Sequence, residues 1–425
     1  MNFEATLDYA HHADQTDPLR SFRSRFAMPR AGHGAELLYF GGHSLGLPPL
    51  AARTRVNEEL DDWAMHGVLG HEAARRPWIP YHENLTAGLQ HLTGGRASEV
   101  IAMNSLTVNI HMMLASFYRP AGKRTKIVIE TGAFSSDRHA AASQIAWHGL
   151  DPSLELVELT PVAGEHLIAD AAIESYLERS GSEVALILWP GVQFRTGQAF
   201  DIPRLVRAGR RAGCIVGLDL AHSVGNMPLS LHDNDVDFAV WCSYKYLNAG
   251  PGAIGGAFIH ERHVNTRPRL SGWWGHDSAT RFEMGPEFRA EPGAAGWAVS
   301  NPPVLAAAPL LASLELFQEA GISALRAKSV KITGYLEFLL DRLAPDVQVI
   351  SPRDPEMRGC QLSFRIPGAG RGAKVFAWLH ANGVACDWRE PDVIRAAPIP
   401  FYNSFEDVFH FSERLAQGLR QISAG

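Results

Sequence analysis

Lys245 stands in Ser243-Tyr244-Lys245-Tyr246, directly after the apolar run Phe238-Ala239-Val240-Trp241, while Asp219 and His222 close a second run, Cys214 to Leu218. An amine, a carboxylate and an imidazole at successive strand ends match what pyridoxal phosphate requires: a Schiff base, a negative charge at the pyridine nitrogen and partners around the ring. Taken singly, each residue has a plainer use. A lysine ending a strand is usually solvated, an aspartate after a strand often caps the next helix, and a lone histidine is more often a satisfied structural residue. Phosphate needs backbone N–H groups at a helix start together with hydroxyl donors. Asn104-Ser105-Leu106-Thr107-Val108-Asn109 and Phe134-Ser135-Ser136-Asp137 both offer that arrangement, and both also read as ordinary caps.

From about Leu106 to Ile259, short apolar runs alternate with longer amphipathic ones, the pattern of an α/β layer with a mainly parallel sheet. The predicted strands are Lys126 to Glu130, Val184 to Trp189, Cys214 to Leu218, Phe238 to Trp241 and Ala253 to Ile259. Ser136 to Trp147 and Ile202 to Ala212 read as crossover helices. In such sheets ligands gather at the carboxyl ends of the strands, and Phe134 to Asp137, Asp219 to His222 and Tyr244 to Lys245 all follow predicted strands. They should therefore converge on one edge. The stretch from Gly272 to Pro303, rich in Gly, Pro and Trp, suits a binding loop. Val304 to Ala320 and Ala324 to Leu343 have helical periodicity, and Val347 to Phe364 opens a smaller C-terminal unit.

At 425 residues with 20% charged and 46% hydrophobic content, the chain is long enough for two packed domains. A net charge of -6 argues against a nucleic-acid or anionic-membrane surface. Cys214, Cys242, Cys360 and Cys386 are scattered without C-x-x-C spacing and read as reduced, structural residues. Met1 to Arg30 holds no apolar stretch of signal-peptide length and nothing later resembles a span, so the expected location is cytoplasmic. No Gly-rich dinucleotide fingerprint, Walker loop or H-E-x-x-H motif occurs. His11, His12, His43, His66, His71, His82 and His91 lack the tight pairing of a zinc site, so no metal is expected.

The string Leu218 to Asn226, followed by Asp237 to Gly250, closely resembles kynureninase, a family of the fold-type-I pyridoxal-phosphate class. Supporting strings span nearly the whole chain: Ser44-Leu45-Gly46-Leu47, His71 to Trp78, Met103 to His111, Thr196-Gly197-Gln198, Gly272 to His276, Ser300-Asn301-Pro302-Pro303 and Pro398 to Phe405. The resemblance implies a large domain (56–305) with a mainly parallel seven-stranded sheet between helices and a smaller α+β C-terminal domain (306–425). An N-terminal segment (1–55) would pack with the small domain. It implies a hydrolase that cleaves L-kynurenine, or its 3-hydroxy form, to anthranilate (3-hydroxyanthranilate) and L-alanine in tryptophan catabolism and NAD biosynthesis. A homodimer would carry its active sites at the subunit interface.

By matching strings, the resemblance makes Lys245 the Schiff-base lysine, Asp219 the partner of the pyridine nitrogen, and Tyr244 a neighbour of the phosphate and a proton donor. Leu106, Thr107, Phe134, Ser135, Ser136, Asp137, His222, Trp273 and Asn301 would complete the cofactor shell. Arg395 would clamp the substrate carboxylate, a task suited to the planar guanidinium. Ser44, His71, Trp274, Ser300 and Asn301 would meet the rest of the substrate, with Trp274 as an apolar wall.

Two positions depart from the family pattern. Pro190 stands where a serine or threonine commonly bonds the phosphate, and His43 replaces the usual asparagine before Ser-Leu-Gly. Both are expected to affect cofactor affinity rather than reaction type. Two other readings compete. A cysteine desulfurase or selenocysteine lyase shares the fold class, with Cys360 the tempting nucleophile, and a catalytically silent cofactor-binding protein would keep the same residues. Anthranilate release separates all three.

Overall fold

The computed structural model describes residues 2–32, 34–266 and 268–423. Its centre is a seven-stranded sheet in the order Val100–Ala102, Gly256–Ile259, Phe238–Trp241, Ile215–Asp219, Val184–Pro190, Lys126–Glu130 and Leu156–Leu159. Gly256–Ile259 runs antiparallel to both neighbours, and the other pairings are parallel. Side chains alternate across the pleat, so the strands feed two cores. Val128, Ile187, Trp189, Val216, Leu218 and Trp241 face one side, and Ile127, Ile129, Leu186, Leu188, Phe238 and Val240 face the other. Val184–Pro190 is buried along its whole length, whereas the edge strand Leu156–Leu159 is half-buried.

The crossover helices follow from their own signals. In Ile202–Ala212, Asp201 caps the N-terminus by accepting from the Arg204 N–H, a proline sits in the first turn, and Gly213 ends the helix in the left-handed conformation. Ile202, Leu205, Val206 and Gly209 turn inward while Arg207 and Arg210 face solvent.

A second, antiparallel sheet follows, ordered Asp387–Arg389, Val393–Ala396, Leu362–Arg365 and Gln348–Val349. Its core, with Leu362, Phe364 and Ile394, takes in Leu336, Leu339, Phe411 and Leu415 from the covering helices, and also Ala10 and Ala13 of the N-terminal helix Leu7–Gln15. Leu38–Tyr39 pairs in parallel with Val384–Ala385, and Gly41 bridges to Ala397, so residues near the start of the chain cross onto the C-terminal sheet. The same segment then reaches the lysine loop: the Gly46 N–H donates to the Tyr244 carbonyl at 2.8 Å. A Cβ on Gly46 would lie 2.2 Å from the Lys245 carbonyl oxygen, so only glycine allows this approach.

Four strand boundaries differ from expectation, one being the run Cys214 to Leu218, whose strand continues to Asp219. Cys214 lies in the turn before its strand, with its N–H bonded to the Gly209 carbonyl. The strand predicted from Ala253 begins only at Gly256, because the Gly255 N–H is spent on the Asn104 carbonyl at 2.7 Å. Val184 to Trp189 extends by one residue to Pro190, which can end a strand but cannot donate within it. Val100–Ala102 and Leu156–Leu159 complete the sheet beyond the five strands predicted. Among the described residues no single helix is long and apolar enough to cross a membrane.

Candidate active site

The carboxyl edge of the large sheet gathers the predicted residues into one cavity lined by Leu106, Thr107, Phe134, Ser136, Asp137, Asp219, His222, Tyr244 and Lys245. Lys245 Nζ lies 3.1 Å from His222 Nε2 and 5.7 Å from the Phe134 ring centre. Burial, with Lys245 beside it, pushes the His222 imidazole well below its ordinary value, so the ring is neutral. Its Nδ1 is buried without a partner.

Asp219 ends its strand with one carboxylate oxygen accepting from the Ala221 N–H at 2.7 Å. Asp137, buried in the first turn of helix Ser135–Trp147, is pushed well above the carboxylate range by burial and by Asp219 next to it. Burial raises Asp219 too, but Lys245 and the Ala221 N–H oppose that rise, so of the two carboxyls Asp137 is the one pushed further from its ordinary value. A third carboxyl, Glu130, also lines the cavity, and burial pushes it up to about 8. It was missed in the sequence, where the only signal was an acid at the carboxyl end of the run Lys126 to Glu130.

The cavity suits pyridoxal phosphate. It joins one amine, a buried carboxylate, the aromatic face of Phe134 and the first turn of helix Leu106–Phe117, whose N–H groups lie beside the Thr107 hydroxyl. Asp137 Oδ1 and His222 Nδ1, both buried and unpartnered, are hydrogen-bonding atoms that a bound molecule can satisfy. Pro190 lines the same cavity and contributes no hydroxyl. Ser135, at the exposed start of its helix, is not part of the lining, whereas Ser136 is. Burial raises the Tyr244 phenol above its ordinary value, so it keeps its proton at neutral pH.

Arg395 is buried at 1% exposure. Its guanidinium donates to the Phe194 carbonyl at 2.6 Å and to the Asp387 carboxylate. Phe194 itself lines the lysine cavity and packs edge-on against Phe134 at 5.4 Å. Ser44 lies two residues before Gly46 on the segment that touches the lysine loop.

The remaining predicted residues do not join this cavity within the chain. His71, Trp274 and Asn301 line a separate apolar depression with Trp63, Trp78 and Leu305, and Trp273 joins them in its neighbour with Val68, Leu69 and Phe282. Trp274 is 4% exposed, with Arg281 lying 4.5 Å over its ring, so it is a core residue on one side and a wall on the other. Ser300, next to Asn301, is exposed. Val68 at 77%, Leu69 at 68% and Phe282 at 59% exposure make this an unusually apolar surface. Elsewhere Glu99 brings together His232 and His260, residues far apart in the sequence, although backbone N–H groups of Arg96 and Glu261 already bond that carboxylate.

Cys360, the nucleophile of the desulfurase reading, is 1% exposed, and burial pushes its thiol up to about 12, the opposite of an activated thiolate.

Comparison with known proteins bears on the family. Residues 325–415 match the kynureninase C-terminal domain family. A kynureninase of Xanthomonas campestris pv. campestris (strain B100) is 52% identical over 418 residues, covering 98% of both chains. One from Xanthomonas euvesicatoria pv. vesicatoria (strain 85-10) is 53% identical over 405 residues, covering 95% of this chain and 96% of that one. Among solved structures, a C-DES mutant with glycine covalently linked to its PLP cofactor superimposes with a TM-score of 0.78 at 19% identity, over 89% of this chain and 96% of that one. The cysteine desulfurase CsdA of Escherichia coli gives 0.76 at 18% identity, over 96% and 98%. At those identities the two structures share the fold alone.

Proposed function

The chain belongs to the kynureninase family, and from that premise we propose that the Lys245 cavity is where it hydrolyses L-kynurenine to anthranilate and L-alanine. The protein is a pyridoxal-phosphate-dependent hydrolase acting on a small molecule. The observation that carries the assignment to this cavity is the contact of Lys245 Nζ with a neutral His222 in the same space as Asp219.

Pyridoxal phosphate, when bound, supplies an aldehyde for the substrate amine and a ring that accepts electrons as bonds at the α-carbon weaken. Lys245 would be the amine that holds it and would also serve as the base at the reacting carbons. His222, held neutral, leaves that amine without a second cation at its side. Asp219 would set a negative charge at the ring nitrogen, and Asp137, buried beside it, would help keep Asp219 in place. Leu106 and Thr107 would seat the phosphate at the helix start, Ser136 would add a hydroxyl near it, and Phe134 would cover the ring. Tyr244, protonated at neutral pH, delivers a proton to the leaving group or orients the attacking water. Arg395 takes the α-carboxylate.

The separate placement of His71, Trp273, Trp274, Ser300 and Asn301 supports a homodimer in which one chain's apolar surface closes the other chain's cavity. Two inactive variants, Lys245→Ala and Asn301→Ala, should then complement when mixed and allowed to exchange subunits. Random pairing across a two-fold axis restores about one quarter of the sites, and a mixture as inactive as its components removes the shared site.

His71, Ser300 and Asn301 supply polar groups beside the Trp274 wall, which favours a ring hydroxyl, since an unpaired buried polar group costs ~1–3 kcal/mol. We therefore expect 3-hydroxykynurenine to be turned over at least as well as kynurenine. Fluorescence of the two aminobenzoate products measures both, and a hundredfold preference for kynurenine would reject this reading. Absence of either product from the cofactor-loaded protein would leave the silent binding protein instead.

Residues 1–55, 56–305 and 306–425 remain our proposed division, with one amendment from packing. Helix Val304–Ala320 lies against helices Leu50–His66 and Glu83–Thr93, so we assign it to the large unit and place the boundary near Gly321. Four cysteines without a disulfide suit our proposal of a reducing, cytoplasmic setting.

A further inference from the structure

We propose that Asp387 is a positioning residue for Arg395, fixing the plane of the guanidinium so that its free donors meet the α-carboxylate of the bound amino acid. The inference rests on the reading of Arg395 as the carboxylate site and adds the residue that makes it effective.

The placement follows from strand register. Asp387 lies directly opposite Arg395 in the antiparallel pair formed by Asp387–Arg389 and Val393–Ala396, and Arg389, two residues on, shares its face. Asp387 accepts from Arg395 and, at 3.0 Å, from Arg389. Among the described residues it is the one carboxylate paired with either arginine. Arg395 is thus pinned at two of its three nitrogens, by Asp387 and by the Phe194 carbonyl, and its Nε is buried without a partner. Phe194 lines the lysine cavity, so the second pin sits in the cavity wall.

Charge counting points the same way. His43, fully buried with Nε2 3.5 Å from the Asp387 carboxylate, is pushed down to about 4 by burial and by Arg395, and so is neutral. Burial alone would raise the Asp387 carboxyl, but His43, Arg395 and Arg389 hold it well below the usual range. Two guanidiniums therefore share one carboxylate, which leaves a single positive charge, the complement of one substrate carboxylate. A guanidinium without its anchor would keep its charge but lose the fixed fork that makes carboxylate recognition bidentate.

The test compares Asp387→Asn, Asp387→Glu and Arg395→Gln in the holoenzyme. For Asp387→Asn we expect KM for kynurenine to rise about tenfold with kcat within about threefold, the pattern of lost binding rather than lost chemistry. The preference for L-alanine over L-alaninamide, followed as the spectral change on binding, should fall by a similar factor. Asp387→Glu keeps the charge and should be intermediate; if the asparagine variant does not fold, a raised KM with preserved kcat in the glutamate variant carries the proposal alone. Wild-type or lowered KM with intact discrimination in the folded variants overturns it. Arg395→Gln should abolish the discrimination. If it does not, the reading of Arg395 fails; if it does while Asp387→Asn behaves as wild type, only the role of Asp387 fails.

Discussion

Replacing Lys245 with alanine should leave a folded protein without measurable turnover and without the absorbance of a lysine-bound cofactor. Lys245 is half-buried, and its side-chain hydrogen bond is to His222, so its removal opens little space and strands one imidazole nitrogen at the cavity wall. The catalytic loss is of another order, because on the proposed reading the same amine both holds the cofactor and moves protons at the reacting carbons. Removing a nucleophile and a general base together should cost at least about 10⁴-fold. Kynurenine turnover and the visible spectrum of one preparation check both halves. Activity that survives without the absorbance would detach the chemistry from this lysine.

The second large effect is expected at Asp219. Asparagine keeps the shape and the bond from the Ala221 N–H but removes the charge. The loss should fall on kcat, by about 10²–10³-fold, the size found when one preorganised electrostatic contact is deleted. Stability should move the other way. Asp219 is buried in the cavity it shares with Asp137 and Glu130, and burial disfavours its charged form in the folded protein, so an uncharged side chain of the same shape avoids that desolvation cost. The cofactor-free Asp219→Asn protein should therefore unfold at a higher temperature than the wild-type protein in the same state, as happens where a site is built at the expense of the fold. A lower midpoint would show that Asp219 is a structural acid.

Much of the scaffold was legible because local signals and tertiary environment agreed. Lys126–Glu130, Phe238–Trp241, Ile202–Ala212 and Val304–Ala320 have the bounds their patterns suggested. Leu156–Leu159 escaped notice because an edge strand with Glu158 at its centre lacks the apolar run of its buried neighbours. Phe134 to Asp137, Asp219, His222, Tyr244 and Lys245 could be read because they follow strands, whereas Glu130, the last residue inside its own strand, carries no such signal. Asp387 could not be read. Its meaning comes from lying across a ladder from Arg395, and register between strands leaves no mark in either strand alone. The surface holding His71, Trp273 and Asn301 was readable as residue types, but its separation from Lys245 shows only in three dimensions.

The Gly46 contact bears on how the molecule is made. Residues 38 to 46 touch partners at 384, 385 and 397 as well as the loop at 244 to 245. During synthesis this stretch leaves the ribosome early and waits for its far neighbours, a contact of high sequence separation that is slow to close. The lysine loop gains its last backbone anchor only as the C-terminal strands arrive. A nascent or truncated chain lacking residues 384–397 should therefore hold the segment 38 to 46, and with it the lysine loop, less firmly.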